Sequence, residues 1–362
     1  MKMENKDNLK KLLLKQYRLY PKMQLQDMVK LIYQNEFAGG HMIADEEESL
    51  KRLEDEFEAI KKNRTDKTVF STFEDIGNGL YRLHLIALED KDIELETINK
   101  FFINTANSVV GSVESFEEKL SVLRECCAEG DLPYSLQELE AYLAEYKNKG
   151  YPPVSHSNIY KELYKPAYRI VKGEYCRFFE LFNRIDALMK LDRPIYVAID
   201  GNSGAGKTSL ASIIGDVYDC NIFHMDDFFL RPELKTEERL KEVGGNVDYV
   251  RFYEEVIQGL KSGREFSYRP YNCQTMALED AVHVRPKKLN IIEGVYSMHP
   301  ILIDFYDLKV FLAIDPEEQS RRILERNGPF MHKRFINEWI PLENRYFEAA
   351  KIKEKSDLVF QV

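Results

Sequence analysis

The chain has 362 residues, of which 44% are hydrophobic and 31% are charged, and its formal net charge is −10. This length favours two domains over a single hydrophobic core, and the composition is that of a globular protein. The net negative charge argues against non-specific binding to nucleic acid or to an anionic membrane surface, because both are also negatively charged.

The N-terminal segment, Met1 to Gln16, carries charges throughout and contains no apolar signal region. No window of the chain approaches the roughly 18 apolar residues of a membrane span. The five cysteines lack the spacing of a zinc site or of a redox motif. We therefore expect reduced thiols and a cytoplasmic location, with no nucleic acid and no membrane among the partners.

The first 190 residues predict a series of helices, because apolar residues recur there at spacings of three and four. Asp45 and Glu48 resemble a capping box at the start of one of them. Further helices are predicted at about 92–109, 113–127, 135–147 and 174–189. This all-α region has no chemical signature, so its role stays open between binding a protein partner or a second copy, shaping a substrate pocket, and regulation.

Between two of these predicted helices lies the sequence Gly39-Gly40-His41. In a functional interpretation, His41 contacts a ligand or a phosphate from a flexible loop. In the alternative interpretation, the two glycines end a helix and His41 is an ordinary turn residue.

The sequence pattern changes at Arg193-Pro194. Short apolar runs of the kind that form strands buried on both faces follow at 195–199, 221–225, 289–292, 310–314 and 358–362. Helical segments separate them, which predicts an α/β fold with a doubly wound parallel sheet. We place a helical domain at 1–170 and the α/β domain at 171–362, with the boundary somewhere between 150 and 192.

Residues 201–208 match the phosphate-loop pattern GxxxxGK[ST], the Walker A motif, at every fixed position. A predicted strand precedes the motif and a predicted helix follows it, as a P-loop NTPase requires. Lys207 would reach the outer phosphates of ATP and Thr208 would bind Mg²⁺. The predicted nucleotide contacts are Gly201, Asn202, Ser203, Gly204, Ala205, Gly206, Lys207, Thr208 and Ser209.

Acidic residues follow two of the predicted strands. Asp226 and Asp227 end the second strand, where one carboxylate could accept the proton of an attacking hydroxyl or bind a magnesium water. The alternative is an aspartate that caps a helix. Glu293 ends the third strand in a Walker-B-like position, facing the nucleotide metal, unless neighbouring backbone groups satisfy it.

A helix predicted after Asp315-Pro316 carries Arg321, Arg322 and Arg326. Arg322 and Arg326 are four residues apart and share one face, so they could stabilise the charge of a transferring phosphate. Alternatively, these arginines lie on a solvated face with neighbouring glutamates.

No guanine-specificity motif and no ABC-type signature follow the phosphate loop. Four segments instead make the chain from about Pro194 onward resemble the uridine kinase family of P-loop kinases, which is related to phosphoribulokinase. They are AIDGNSGAGKTSLA (198–211), MDDFF (225–229), IIEGVY (291–296) and RRILERNG (321–328).

This resemblance implies that Asp226 is the general base and that Thr208, Glu293 and Asp226 surround Mg²⁺. It also implies that Asp248 binds substrate hydroxyls, that Tyr271 opens a substrate hairpin, and that the arginine helix is a lid. The residues after Tyr271 depart from the family, because they lack the aromatic and histidine pattern expected around a pyrimidine. Phosphate chemistry is therefore implied more directly than substrate identity.

The sequence thus predicts an ATP- and Mg²⁺-dependent kinase that phosphorylates a hydroxyl of a nucleoside or another small alcohol. A rival hypothesis is an ATP-binding sensor that acts through its helical domain without phosphorylating a small molecule. A kinase with a polynucleotide acceptor is less consistent with the acidic composition.

Overall fold

The computed structural model describes residues 3–39, 42–63 and 71–362, so Gly40 and His41 lie outside the described residues. The chain forms two compact units, Met1–Asn183 and Arg184–Val362. The division lies within the predicted interval 150–192, but it comes later than the predicted boundary at 170/171. The strand Tyr168–Lys172, which spans the predicted boundary, pairs with a strand of the N-terminal unit and belongs to that unit.

The N-terminal unit is mainly helical, as predicted. Its helices bury one core, to which Leu13, Met28 and Phe116 contribute side chains that are fully buried. Asp45 accepts a hydrogen bond from the backbone of Glu48, as the predicted capping box requires. The helices are Met3–Leu19, Leu25–Phe37, Glu46–Asn63, Leu95–Ser108, Val113–Ala128, Leu136–Asn148, Asn158–Tyr164, Gly173–Arg177 and Phe179–Met189.

This unit also contains a three-stranded antiparallel sheet that the sequence did not predict. Its strands are Phe73–Asp75, Leu80–His84 and Tyr168–Lys172, in chain order across the sheet. The strands are short, and the central strand carries Arg82, whose side chain is completely buried. Arg82 donates to Glu74 at 2.8 Å and to Gln34 at 2.8 Å, so its charge is compensated inside the unit.

The helix Leu25–Phe37 ends before the two glycines that we expected to cap it. Ala38 is the C-cap, with φ of 50°, and its N–H donates to the carbonyl of Gln34. The two interpretations of His41 remain predictions, because this residue is outside the described ranges.

The C-terminal unit contains a five-stranded parallel sheet, which confirms the predicted fold class. The order across the sheet is Leu358–Gln361, Leu308–Ala313, Ile195–Gly201, Leu289–Glu293 and Cys220–His224. Glu293 is in register with Ile199 on one side and with His224 on the other. The carboxyl ends of three strands therefore meet at the edge where α/β sheets bind ligands.

Helices and two small antiparallel pairs accompany this sheet. The strand pairs are Phe266–Tyr268 with Val282–Val284 and Tyr271–Asn272 with Ala277–Leu278. The α-helices are Lys207–Gly215, Glu237–Lys241, Tyr249–Phe252, Gln258–Ser262, Pro316–Arg334, Ile340–Ala350 and Ile352–Lys355. Within the three described ranges, no helix has both the length and the apolar character needed to cross a membrane.

Candidate active site

The phosphate loop, residues 201–208, joins the strand Ile195–Gly201 to the helix Lys207–Gly215. Its first residues are fixed to the sheet, because the Asn202 amide donates to the carbonyl of Leu312 at 3.1 Å. The first turn of the helix leaves backbone N–H groups without intrahelical acceptors. These groups and the positive end of the helix dipole favour binding of an anion such as a phosphate.

The side chain of Lys207 folds back over the phosphate loop. Its ammonium donates to the carbonyl oxygen of Gly201 at 2.8 Å and to that of Asn202 at 3.0 Å, and the residue is 8% exposed. The loop itself therefore holds a buried cation next to the amides of the helix N-terminus.

Some of the predicted nucleotide contacts are already bonded to protein acceptors. The Ser203 amide donates to Glu343 Oε2 at 3.1 Å, and its hydroxyl donates to Glu343 Oε1 at 2.5 Å. The Ala205 amide donates to the carbonyl of Asn202 at 3.1 Å. In this conformation, the Ser203 and Ala205 amides are therefore already used within the protein.

Thr208 and Glu293 lie together, as predicted for a metal site. The Thr208 hydroxyl donates to Glu293 Oε1 at 3.0 Å, and the same oxygen lies 2.5 Å from His224 Nδ1. The Glu293 carboxylate is almost completely buried. Its hydrogen bond to the imidazole raises the pKa of His224, which favours the imidazolium form and balances the buried negative charge.

Asp226 lies on a short 3₁₀ turn, Met225–Phe228, directly after the edge strand that ends at His224. Burial raises the pKa of Asp226, and the negative charge of the nearby Glu293 carboxylate raises it further. Lys207 and Arg326 oppose this rise. The structure therefore places Asp226 within electrostatic range of Lys207, Glu293 and Arg326, with a pKa above that of an ordinary aspartate.

The three arginines of the helix Pro316–Arg334 differ in their surroundings. Arg321 is exposed and pairs with Glu318 and Glu325, which supports the solvated-face interpretation for this residue. Arg322 pairs with Glu318 at 2.7 Å and also approaches the carbonyl of Gly204 at 3.4 Å. Arg326 donates to Asn327 at 2.8 Å. A catalytic role for Arg322 and Arg326 remains a prediction.

The residues predicted to bind the acceptor are both buried. Asp248 Oδ1 accepts from the Arg251 amide at 3.2 Å, so this aspartate caps the helix Tyr249–Phe252. It also lines a cavity of about 440 Å³ together with Arg231 and Arg251. Tyr271 lies on the short strand Tyr271–Asn272, which packs near the turn that carries Asp226.

Arg231 and Arg251 each have a buried Nε that finds no hydrogen-bond acceptor among the residues of the described ranges. Arginine donors of this kind, in a cavity wall beside Asp248, suit a ligand that offers oxygen atoms.

Two carboxyl groups that contact the phosphate loop were not predicted. Asp200 is fully buried and accepts from the Gly201 amide at 2.7 Å, from the Met298 amide at 3.0 Å and from the Tyr346 hydroxyl at 2.8 Å. Glu343 holds Ser203, as described above. Burial raises the pKa of both groups. Asp200 directly precedes the motif and could have been suspected, whereas nothing in the sequence around Glu343 signals its contact.

The residues at the strand ends fit a magnesium ion bound with a nucleotide. In the described part of the chain, no group of three or more histidine, cysteine or acidic side chains could hold a metal alone. Mg²⁺ in nucleotide sites needs no such group, because it takes one or two protein ligands and completes its shell with phosphate oxygens and water. The Thr208 hydroxyl and the Glu293 carboxylate offer that smaller set.

Comparison with known proteins places the similarity in one half of the chain. No family model matches. A protein named uridine kinase from Geobacillus kaustophilus is 28% identical over 178 residues, which is 44% of this chain and 82% of that protein. A protein of the same name from Bacillus mycoides is 28% identical over 182 residues, 45% of this chain and 84% of that protein.

A solved structure described as a possible uridine kinase from Bacillus stearothermophilus aligns with 50% of this chain and 99% of its own, at 24% identity and a TM-score of 0.39. The names of these curated relatives agree with the family resemblance that was predicted from the phosphate loop and from the MDDFF and IIEGVY segments. The C-terminal half of this chain therefore resembles proteins named uridine kinase.

Proposed function

We propose that the protein is a kinase that transfers the γ-phosphate of ATP to a hydroxyl group of a small molecule. The observation that carries this proposal is the contact of Thr208 with Glu293 at 3.0 Å, in the first turn of the helix that begins at Lys207. A phosphate loop, a metal-side carboxylate and a separate acidic residue, Asp226, are the parts that phosphoryl transfer requires.

In this proposal, the nucleotide phosphates lie on the first turn of the helix Lys207–Gly215, and Lys207 exchanges its carbonyl partners for phosphate oxygens. Thr208 and Glu293 would hold Mg²⁺. The bound ion would neutralise charge on the phosphates. His224 keeps Glu293 in place through its 2.5 Å contact.

Asp226 is the proposed general base. Its raised pKa makes it a better proton acceptor than an ordinary aspartate. As the acceptor oxygen forms its bond to the γ-phosphorus, its proton passes to the Asp226 carboxylate, and the bond from the γ-phosphorus to the bridging oxygen of ADP breaks. The products are ADP and the phosphorylated alcohol.

The cavity beside Asp248 is the proposed acceptor site. The Nε groups of Arg231 and Arg251, which have no hydrogen-bond acceptor among the described residues, would donate to acceptor oxygens. Asp248 Oδ2, which lies 3.8 Å from Arg251 Nε, would accept a hydrogen bond from a hydroxyl group. A nucleoside or another polyhydroxylated molecule has this chemistry.

The test is ATP turnover with a panel of nucleosides, sugars and other polyols, followed by mass analysis of the products. One compound should stimulate ADP release and gain a phosphate group. Asp226→Asn should then lower kcat by about 100-fold or more, because general bases contribute roughly 10²–10⁴ in rate. Asp304→Asn, which changes an exposed aspartate on the turn Ile303–Phe305, should leave turnover unchanged.

Full turnover in Asp226→Asn would exclude the general-base role. Tight ATP binding without phosphorylation of any compound would instead favour the sensor hypothesis, with Lys207→Ala as the control for nucleotide binding.

A further inference from the structure

The N-terminal unit contains a cavity of about 670 Å³ that the proposed kinase chemistry does not use. Its walls come from the helices Leu25–Phe37, Glu46–Asn63 and Leu95–Ser108 and the strand Tyr168–Lys172, together with residues 38–39, 42–45 and 153–155. Small-molecule sites in proteins commonly have volumes of about 300–1,000 Å³, so this cavity is large enough for a metabolite.

Lys30 contributes a cation to the cavity wall. Its ammonium donates to the carbonyl of Val154 at 2.6 Å, and no carboxylate among the described residues lies within 4.0 Å of it. Burial lowers the pKa of Lys30 to about 8. Arg82 and Lys161 lower it further, whereas Asp27 raises it. Lys30 is therefore a partly desolvated cation that would gain from an anionic partner.

The two arginines that also line the cavity already have such partners. Arg52 pairs with Glu48, and Arg169 pairs with Glu56 at 2.7 Å. The wall also carries two carboxylates, that of Asp45, which is exposed, and that of Glu48, which pairs with Arg52. Of the three cations in the wall, Lys30 is the one with no carboxylate within 4.0 Å among the described residues.

The Tyr168 hydroxyl belongs to a residue that lines the same cavity. Tyr168 shares its hydroxyl with Gln34 Nε2 at 3.1 Å and with His156 Nε2 at 2.6 Å, so both side chains hold it in place. The strand Tyr168–Lys172 is an edge strand, and residues 167 and 173, on either side of it, bond to residues 85 and 79, which flank the neighbouring strand. In an antiparallel pair, the amides of successive residues point alternately toward and away from the neighbouring strand. The amide of Lys172 points away, because it donates to Thr105, and the amide of Ile170, two residues earlier, points to the same side.

The rest of the wall includes apolar surface from Phe102, Pro153 and Val154. A partly buried cation with no carboxylate within 4.0 Å, beside fixed polar groups and apolar surface, favours a ligand that has one anionic group and an apolar part. We propose that this cavity binds a small organic anion whose carboxylate or phosphate group pairs with Lys30.

The probes are benzoate and phenyl phosphate, with benzyl alcohol as the uncharged counterpart. Binding is measured by calorimetry on the full chain with saturating ADP and Mg²⁺, so that the phosphate loop is already filled. Hydrogen exchange then locates the site. We expect saturable binding of at least one of the two anions, no binding of benzyl alcohol, and protection in residues 25–37 and 168–172.

Lys30→Met should weaken this binding by about tenfold or more, because charge-assisted hydrogen bonds contribute roughly that much. Lys30→Gln gives the same comparison if the methionine variant does not fold. Lys51→Met is the matched control, since Lys51 is exposed and does not line the cavity. Stronger binding of benzoate identifies a carboxylate ligand, and stronger binding of phenyl phosphate identifies a phosphate ligand.

The proposal is overturned if neither anion binds, if Lys30→Met binds as tightly as the original protein, or if protection appears only around residues 201–209. Because the readout is binding in the N-terminal unit, these outcomes are independent of whether the C-terminal unit phosphorylates an alcohol.

Discussion

Gly201, at the start of the phosphate loop, shows how closely the backbone must approach the neighbouring strand. Its φ is 138°, and a Cβ atom at this position would lie 2.2 Å from the carbonyl oxygen of Leu312. That carbonyl is fixed, because it accepts the hydrogen bond from the Asn202 amide. Glycine is therefore required here for two reasons: other residues rarely adopt this φ, and a side chain would collide with the backbone of Leu312.

Gly201→Ala should lower the free energy of unfolding of the C-terminal unit by about 3 kcal/mol or more, since backbone strain and overpacking each cost roughly 1–3 kcal/mol. Gly206 is the matched control. Its φ is 88°, but a Cβ atom there would meet no atom within 4 Å. Gly206→Ala should therefore cost only the conformational strain, about 1–2 kcal/mol. Urea denaturation measures the free energy of unfolding of both variants. Equal losses of stability in Gly201→Ala and Gly206→Ala would contradict the role assigned to the contact with Leu312.

At the scale of elements, helices that are distant in sequence hold the phosphate loop. The helix Ile340–Ala350 contributes Glu343 and Tyr346, and the helix Pro316–Arg334 contributes Gln319, whose side chain donates to the Ser203 carbonyl at 2.9 Å. The loop's shape is therefore a property of the packed unit as well as of its own glycines.

Tyr346→Phe tests this support. The variant removes the 2.8 Å hydrogen bond from the Tyr346 hydroxyl to Asp200 while keeping the buried ring. Hydrogen bonds to charged groups contribute roughly 1.5–3 kcal/mol, so we expect a loss of that size in the free energy of unfolding of the C-terminal unit. Tyr253→Phe, which removes only a 3.5 Å contact with Lys261, should change stability little. A Tyr346→Phe variant as stable as this control would show that Asp200 does not depend on the hydroxyl.

The central sheet and the phosphate loop could be predicted because their signals are local. Strands that are buried on both faces form continuous apolar runs, and a phosphate loop is one contiguous segment. Glu343 could not be predicted, because it contacts Ser203 from 140 residues further along the chain. Its position on the helix Ile340–Ala350 has no pattern that distinguishes it from an exposed glutamate.

The small sheet of the N-terminal unit was missed for a related reason. The strand Tyr168–Lys172 pairs with Leu80–His84 across four intervening helices, and Arg82 interrupts the expected apolar alternation. The family resemblance implied that Asp248 binds the substrate, but the sequence did not show that one of its carboxylate oxygens caps a helix.

Across the whole molecule, the two units differ in how acid should affect them. In the N-terminal unit, burial lowers the pKa of His156 to about 4. Burial alone would raise the pKa of Glu74, but its hydrogen bond to His84 and the charge of Arg82 bring it down to about 2. In both cases the unfolded chain binds a proton before the folded unit does, so stability is lost as the pH falls.

Asp200 and Glu343 give the C-terminal unit the opposite response. Burial raises the pKa of both carboxyl groups, so the folded unit binds these protons at a higher pH than the unfolded chain does. The folded unit therefore gains stability as the pH falls from the raised pKa values toward the ordinary ones. His299 opposes this gain in part, because burial lowers its pKa to about 4.

We therefore expect the thermal transition of the N-terminal unit to shift downward more than that of the C-terminal unit between pH 7 and about pH 4. Differential scanning calorimetry measures both transitions, and ADP with Mg²⁺ identifies the C-terminal one by raising its midpoint. His156→Gln should reduce the acid shift of the N-terminal transition, because glutamine has no proton to gain over this range. Equal shifts of the two transitions would mean that the buried carboxyl groups around the phosphate loop do not offset the acid response of the rest of their unit.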